Sequence, residues 1–264
     1  MEIKKKFMEK KVRIIIFIFI ILCIFLCFGI NYLYQSGGLI SNKTHRLLDQ
    51  GQAYDLGDGI TAVVVLQESP VKVLISTNGE KTWKTHTVQG SERIPSNEKE
   101  KENDNVRYED SFIGFHKDGS GYLVLTTGMT LGSQDARIFL TSDLGSSWTE
   151  AGNLNQIHRF GVTGAGLSSE GILFMSYRYY EDQGPDIWFS ENRGVDWKQL
   201  KVSLPEKYRS ANYRFNALSP TFRGKDGVYP VELHDLDAEN HEIQTVYLKS
   251  SDGGKTWSFD ESAL

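Results

Sequence analysis

Cysteine is almost missing from this chain. The 264 residues contain 2 cysteines, Cys23 and Cys27, and both lie near the N-terminus. The residues after them have no thiol with which to form a disulfide, so their stability must come from packing. Bulky residues precede both cysteines where a lipid-attachment site would need small ones, so neither cysteine is a convincing lipid anchor.

Several kinds of catalytic and binding motif are also missing. The sequence has no metal-ligand spacing, no phosphate-binding loop and no Ser/His/Asp arrangement, and its histidines are scattered. We therefore expect neither a metal nor any other cofactor.

Basic residues are in deficit once the N-terminus is set aside. The whole chain has 29 basic and 34 acidic residues, and its first 13 residues hold six of the basic and two of the acidic ones. The rest therefore carries 23 basic and 32 acidic residues, a net charge of −9. This balance argues against nucleic acid or an anionic membrane surface as a general partner.

One long apolar run stands out at the N-terminus. Ile14 to Ile30 is uncharged, and as a helix continued to Tyr34 it reaches the roughly 30 Å thickness of a bilayer's hydrocarbon core. The basic residues before it place the N-terminus in the cytoplasm by the positive-inside rule. We expect a cytoplasmic tail at 1–13, a transmembrane anchor at 14–34, a linker at 35–43 and an extracytoplasmic domain at 44–264. A cleaved signal peptide is the alternative, although no small-residue cleavage pattern follows the run.

An eight-residue motif occurs four times in the extracytoplasmic part. The copies end in tryptophan and follow the pattern S/T-x-D/N-x-G-x-T/S-W, modified at Gly79 and Asp196. They run from Ser76 to Trp83, Thr141 to Trp148, Ser190 to Trp197 and Ser250 to Trp257. Internal repeats of this kind mark solenoids and propellers.

Each residue type in the motif suits a tight turn between antiparallel strands. The Asp or Asn side chain accepts hydrogen bonds from backbone amides two residues on, glycine permits positive φ, and the hydroxyl groups add local bonds. Strand-like segments rich in β-branched and aromatic residues lead into every copy. Each copy therefore predicts a β-hairpin whose second strand begins at the tryptophan.

These repeats resemble the Asp-box, or bacterial neuraminidase, repeat of sialidases and related propellers. The resemblance implies an all-β chain forming a β-propeller of four blades, or five if an unboxed blade lies near residues 35–60. It places each box in the turn between the two outer strands of a blade and gives the box residues a structural role. Those residues are Asn78, Trp83, Asp143, Trp148, Asn192, Trp197, Asp252 and Trp257.

The resemblance also indicates where a ligand would bind. In a propeller the long loops share the face opposite the boxes, and here they are expected at Thr127–Ala136, Arg178–Pro185 and His234–His241. Three Arg-aromatic pairs begin with Arg107, Arg159 and Arg214, each at the start of an innermost strand. A shorter Arg46-Leu47 pair is the candidate for a fourth copy.

Three equivalent arginines could bind one anionic group such as a carboxylate, with Arg178 and Tyr179 as further candidates. The alternative is that these arginines pair with acidic neighbours such as Glu109 or Asp110.

Two functions stay open at this point. The first is a non-catalytic module that binds a glycan or a protein on the face opposite the boxes. The second is a glycoside hydrolase of sialidase type, which would need an arginine triad, a Tyr/Glu pair and an acidic residue. The residues of suitable type are Tyr177, Tyr179, Tyr180, Glu181, Asp182 and Glu232. Arg93-Ile94-Pro95 matches part of the Phe/Tyr-Arg-Ile-Pro motif that carries the first arginine of sialidases. It lies after the first box, whereas that motif precedes the first box in the family. A glycosidase needs two carboxyl groups at a set separation, which sequence spacing does not supply.

Overall fold

The computed structural model describes residues 42–92, 108–129, 134–152, 154, 157, 159, 161–178, 184–209, 213–236 and 243–260. The chain forms two units, Met1–Leu47 and Leu48–Leu264. The first is described only from residue 42, where helix α1 (Asn42–Gln50) begins. Within the described ranges no helix is long and apolar enough to cross a membrane. The predicted anchor at 14–34 lies outside those ranges.

Every described β-strand belongs to the second unit, and all described strand pairs are antiparallel. The first two sheets have four strands each in the order of the chain. They consist of β1 (Gln52–Asp55), β2 (Thr61–Val65), β3 (Lys72–Ser76) and β4 (Lys84–Thr87), then β5 (Tyr108–Phe115), β6 (Gly121–Thr127), β7 (Ala136–Thr141) and β8 (Thr149–Ala151).

The third and fourth sheets follow the same plan. The fourth adds a short strand, β14, which pairs with β15 beside the main path of the sheet. The elements are β9 (Val162–Leu167), β10 (Leu173–Tyr177), β11 (Asp186–Ser190), β12 (Lys198–Gln199), the helical turn α2 (Glu206–Arg209), β13 (Tyr213–Ala217), β14 (Thr221–Arg223), β15 (Asp226–Asp235), β16 (Ile243–Ser250) and β17 (Ser258–Phe259).

The all-β prediction is confirmed for the described residues, with two differences. The Arg46-Leu47 pair lies in α1, which ends just before Gly51, so it does not begin an innermost strand. Strand β14 was not predicted, because its three residues, Thr221–Arg223, give too short a pattern to read.

All four boxes form the predicted hairpin between the third and fourth strands of a sheet. In each box the Asp or Asn oxygen accepts the amide of the residue four positions on, rather than two as the sequence suggested. The acceptor and donor pairs are Asn78 and Thr82, Asp143 and Ser147, Asn192 and Asp196, and Asp252 and Thr256, at 2.9–3.0 Å.

The first residue of every box completes the turn. Its hydroxyl donates to the Asp or Asn oxygen and accepts the amide of the fifth residue, as Ser250 does with Asp252 and Gly254 at 2.8 and 2.9 Å. Trp257 then packs under the turn and donates through Nε1 to the carbonyl oxygen of Gly254 at 2.9 Å. Trp197 makes the same bond to Gly194 in the third box, whereas Nε1 of Trp148 in the second box has no hydrogen-bond partner among the described residues. Side chains thus replace the backbone bonds that a tight turn leaves unmade.

The sheets pack face to face in chain order through three apolar clusters. The first joins sheets one and two, with Val64 and Phe139 among its members. The second joins sheets two and three, and the third joins sheets three and four around Phe174 and Tyr229. Successive sheets thus stack like the blades of a propeller.

Tyrosine hydroxyls tie neighbouring sheets together inside these clusters. Tyr122 of sheet two donates to the carbonyl oxygen of Ala165 in sheet three at 2.7 Å. Tyr229 of sheet four bonds Ser176 of sheet three, and both partners are fully buried. A buried hydroxyl without a partner would be costly, so these bonds fix how the sheets align.

The first box has a residue other than glycine in the left-handed conformation at its fifth position, whereas the second and third boxes have theirs, Leu144 and Arg193, at the fourth position. Its fifth position is Glu80, with a φ of 66°, whereas the other boxes have Gly145, Gly194 and Gly254 there. A left-handed backbone costs a residue with a Cβ about 1–2 kcal/mol, and the greater freedom of glycine in the unfolded chain offsets roughly half of that. We expect Glu80→Gly to raise the free energy of unfolding by about 0.5–1 kcal/mol, measured by urea denaturation with tryptophan fluorescence.

The matched control is Gly254→Ala at the equivalent position of the fourth box. There φ is 91° and a Cβ would lie 2.7 Å from the ring of Phe174, so the free energy of unfolding should fall. A loss of stability in Glu80→Gly would contradict the assignment of strain to this position.

The two carboxylates in boxes predict a sensitivity to acid. Hydrogen bonds from Ser147 and then Thr141 lower the pKa of Asp143 to about 2. Partial burial opposes the shift at Asp252, yet bonds from Thr256 and Ser250 lower its pKa to about 2 as well. A depressed pKa in the folded state stabilises the fold above the unfolded value of about 3.9, and that stabilisation is lost as the pH falls toward 2.

The double variant Asp143→Asn, Asp252→Asn tests this directly, because asparagine already occupies the same position in the first and third boxes. Its free energy of unfolding should fall less steeply between about pH 4 and pH 2, with up to about two fewer protons taken up on unfolding. Denaturation curves at several pH values measure the slope. Asp226→Asn removes an exposed carboxylate outside the boxes, and an equal change of slope in that control would refute the prediction.

Candidate functional site

The four sheets meet at one cavity of about 330 Å³. Each contributes the last residues of its first strand or the residues just after them. Five aromatic rings line it, with Asp55, His116, Ser219 and Thr221 among the polar residues. The rings belong to Tyr54, Phe112, Phe115, Tyr122 and Phe222.

This cavity opens on the same side of the sheets as the boxes. The first and third strands of a sheet run in the same direction, so the ends of β1, β5 and β9 lie on the side of the box turns. The sequence predicted a ligand on the opposite face, where the long loops lie. Those loops join the second and third strands as predicted, but they are only partly described, so that binding face stays a prediction.

Two glycines shape the aromatic wall. A Cβ at Gly114 would lie 2.6 Å from the ring of Tyr122, and a Cβ at Gly121 would lie 2.4 Å from the ring of Phe115. Both distances are far shorter than a carbon contact allows. The rings can therefore lie flat against strands β5 and β6 only because these positions lack side chains.

Hydrogen bonds occupy the tyrosine hydroxyls at the cavity. Tyr54 donates to the carbonyl oxygen of Ser111 and Tyr122 to that of Ala165. Burial raises the pKa of Tyr54 to about 12 and raises that of Tyr122 further. Neither hydroxyl is therefore prepared to act as a nucleophile.

The polar residues at the cavity are held by the backbone. Nε2 of His116 lies 2.9 Å from the carbonyl oxygen of Leu167. A carbonyl only accepts, so Nε2 donates this hydrogen bond. The Asp55 carboxylate accepts the amide of Gly57 at 3.0 Å. Just outside, Lys117 and Asp58 form an exposed ion pair at 3.2 Å.

The predicted arginine group is only partly described. Arg107 and Tyr179 lie outside the described residues, and the side chains of Arg178 and Arg214 are exposed. Arg159 donates through Nε to Asp186 at 2.8 Å. Asp186 is buried and also accepts the indole of Trp188 at 2.9 Å.

Arg159 therefore pairs with an acidic residue, as the alternative interpretation held, although the partner is Asp186 rather than Glu109 or Asp110. The convergence of three arginines on one ligand stays a prediction.

The residues considered for glycoside hydrolysis are dispersed. Tyr177 lies in the apolar cluster between sheets two and three, where burial raises its pKa. Glu232 lies on sheet four with His234, their side chains 3.6 Å apart. The positions 93–95 and 179–182 lie outside the described residues. Among the residues that are described, no three His, Cys, Asp or Glu side chains form a group that could hold a metal.

The residues that line the cavity were not predicted from the sequence. The usable signal was the presence of Gly114 and Gly121 in two neighbouring strand-like segments, since glycine within a strand often marks a close approach to it. Nothing in the sequence showed that this strand end would meet the ends of three other sheets.

No protein-family model and no curated protein matches the chain. Solved structures resemble it in fold. An α-L-arabinanase of Penicillium chrysogenum in complex with arabinobiose has a TM-score of 0.48 and 16% identity over 80% of this chain and 67% of that one. A Hadza microbial sialidase has a TM-score of 0.47 and 15% identity over 81% of this chain and 46% of that one. An endo-arabinase from Bacteroides thetaiotaomicron has a TM-score of 0.43 and 12% identity over 80% of this chain and 78% of that one.

Proposed function

We propose that this chain is a non-catalytic, saccharide-binding propeller of four blades, held outside the membrane by an N-terminal helix at 14–34. Its ligand binds in the central cavity. The observation that carries the proposal is that all four sheets border one aromatic-lined cavity with a few polar groups at its edge.

The composition of the cavity suits a small sugar. Ligand sites are concave and mostly apolar, with a few polar groups that orient the ligand, and their volumes begin at about 300 Å³. At about 330 Å³ this cavity fits one or two sugar units. The C–H faces of a sugar ring pack on Phe112, Phe115 and Phe222, and its hydroxyls bond to His116 and Ser219 at the edge.

The supply of carboxyl groups at the cavity supports binding without hydrolysis. A glycosidase with the usual mechanism places two carboxyl groups about 5–9.5 Å apart across the scissile bond. Among the described lining residues Asp55 is the one carboxylate. The buried tyrosines do not replace the second one, because their hydroxyls are committed to the backbone.

The second candidate is the glycoside hydrolase of sialidase type. It requires a second acidic group and the arginine triad, so it depends on Arg107, Arg159 and Arg214 converging and on residues 179–182 reaching them. In this case the active site would lie on the face opposite the boxes.

Variants that replace an aromatic side chain of the cavity by leucine test the binding proposal, because they remove the ring and keep most of the apolar volume. Phe115→Leu and Phe222→Leu should each weaken saccharide binding about five- to thirtyfold, since an aromatic contact contributes about 1–2 kcal/mol. The full chain in detergent is first screened on an oligosaccharide array, and titration calorimetry then measures the best ligand. Circular dichroism confirms that both variants stay folded.

Tyr247→Ala is the matched control, because this aromatic side chain is 36% exposed and lies outside the cavity. Its affinity should equal that of the unmodified chain. Absence of saccharide binding, or unchanged affinity in both phenylalanine variants, refutes the proposal. Turnover of a fluorogenic sialoside or arabinoside that is lost in Arg159→Ala would instead support the hydrolase.

A further inference from the structure

The cavity combines aromatic faces with a carboxylate at its edge, and this combination selects for positive charge. Rings of Tyr54, Phe112, Phe115, Tyr122 and Phe222 line one small space. The face of an aromatic ring carries partial negative charge and attracts ammonium groups, and grouped rings are the usual protein site for them.

The charged residues around the cavity also favour a positively charged ligand. Asp55 lines the cavity, and the backbone amide of Gly57 holds its carboxylate in place. The described lining contains neither lysine nor arginine. The nearby Lys117 is paired with Asp58, so its charge is partly balanced before any ligand arrives.

The net negative charge of the whole chain also favours a positively charged ligand, although more weakly than the cavity residues do. Its formal net charge is −5, and the excess of acidic residues lies after the N-terminal segment. A net negative surface raises the local concentration of cations and lowers that of anions. An anionic sugar, such as a sialic or uronic acid, would meet Asp55 with no described basic residue in the lining to balance it.

We infer that the sugar bound in this cavity carries a free, protonated amino group, whose ammonium lies between the aromatic faces and the Asp55 carboxylate. The inference rests on the proposed saccharide-binding function and narrows it to amino sugars. It is opposite in charge to the carboxylate ligand expected from the arginine pairs, which would bind on the other face.

Two disaccharides that differ only at nitrogen test the inference. The β-1,4-linked dimer of glucosamine has free amines, and its N,N′-diacetyl form has the same ring and hydroxyls without the charge. Calorimetry on the full chain in detergent at pH 7, where a large share of such amines carries a proton, measures both. The free-amine form should bind about fivefold tighter, a preference limited by the solvent exposure of Asp55.

Asp55→Asn should reduce that preference to within about twofold, because the amide keeps the shape and loses the charge. Asp118→Asn is the control. It removes an equal charge on an exposed residue that does not line the cavity, and it should keep the full preference. Raising the salt concentration should weaken only the free-amine form.

Each other outcome overturns a particular statement. Equal binding of the two forms, tighter binding of the diacetyl form, or a preference that survives Asp55→Asn overturns the amino-sugar inference and leaves saccharide binding intact. The same follows if a sialylated or uronate disaccharide binds more tightly than the free amine and Phe115→Leu weakens it. Failure of every saccharide on the array refutes the proposed function instead.

Discussion

The structure depends on the need of each small sheet to cover apolar residues on its faces. In the first sheet Ala62–Val65 and Val73–Ile75 are buried without alternation, so both faces of those strands are turned away from water. A sheet of four short strands cannot satisfy that requirement alone. It packs against the next sheet, and the sequence supplies three further sheets of the same size.

The packing of the sheets also creates the cavity, which lies where their first strands meet. Where sheets meet at an angle around a common centre, their first strands leave a space that side chains fill or leave open. Here Gly114 and Gly121 let rings lie against the strands, and the tyrosine hydroxyls bond to the neighbouring sheet. The cavity is thus a product of the same contacts that hold the sheets together, so its shape should be rigid and ready for a ligand.

Acidic residues serve two different purposes in this chain. Asp143 and Asp252 accept several hydrogen bonds within their turns, which accounts for their lowered pKa values and commits them to the fold. Asp186 holds Arg159, Trp188 and Gln199 in the same manner. Asp55 differs because it accepts one turn amide and still borders open space, which makes it the carboxylate best placed to meet a ligand.

The sequence by itself determined the local structure. The boxes predicted four hairpins because each combines a side-chain acceptor, a glycine and a tryptophan at fixed spacing. The interactions that form each turn lie within eight residues. The alternating and fully apolar segments located the strands for a similar reason. Only the tertiary structure decided where sheets one to four converge, because the distances that matter join residues such as Tyr54, Phe115 and Phe222 from separate sheets. For the same reason the partner of Arg159 could not be identified from the sequence, since Asp186 lies 27 residues away along the chain. The sequence shows the type and charge of each residue, but only the packing of the sheets decides which residues become its neighbours and therefore what role it has.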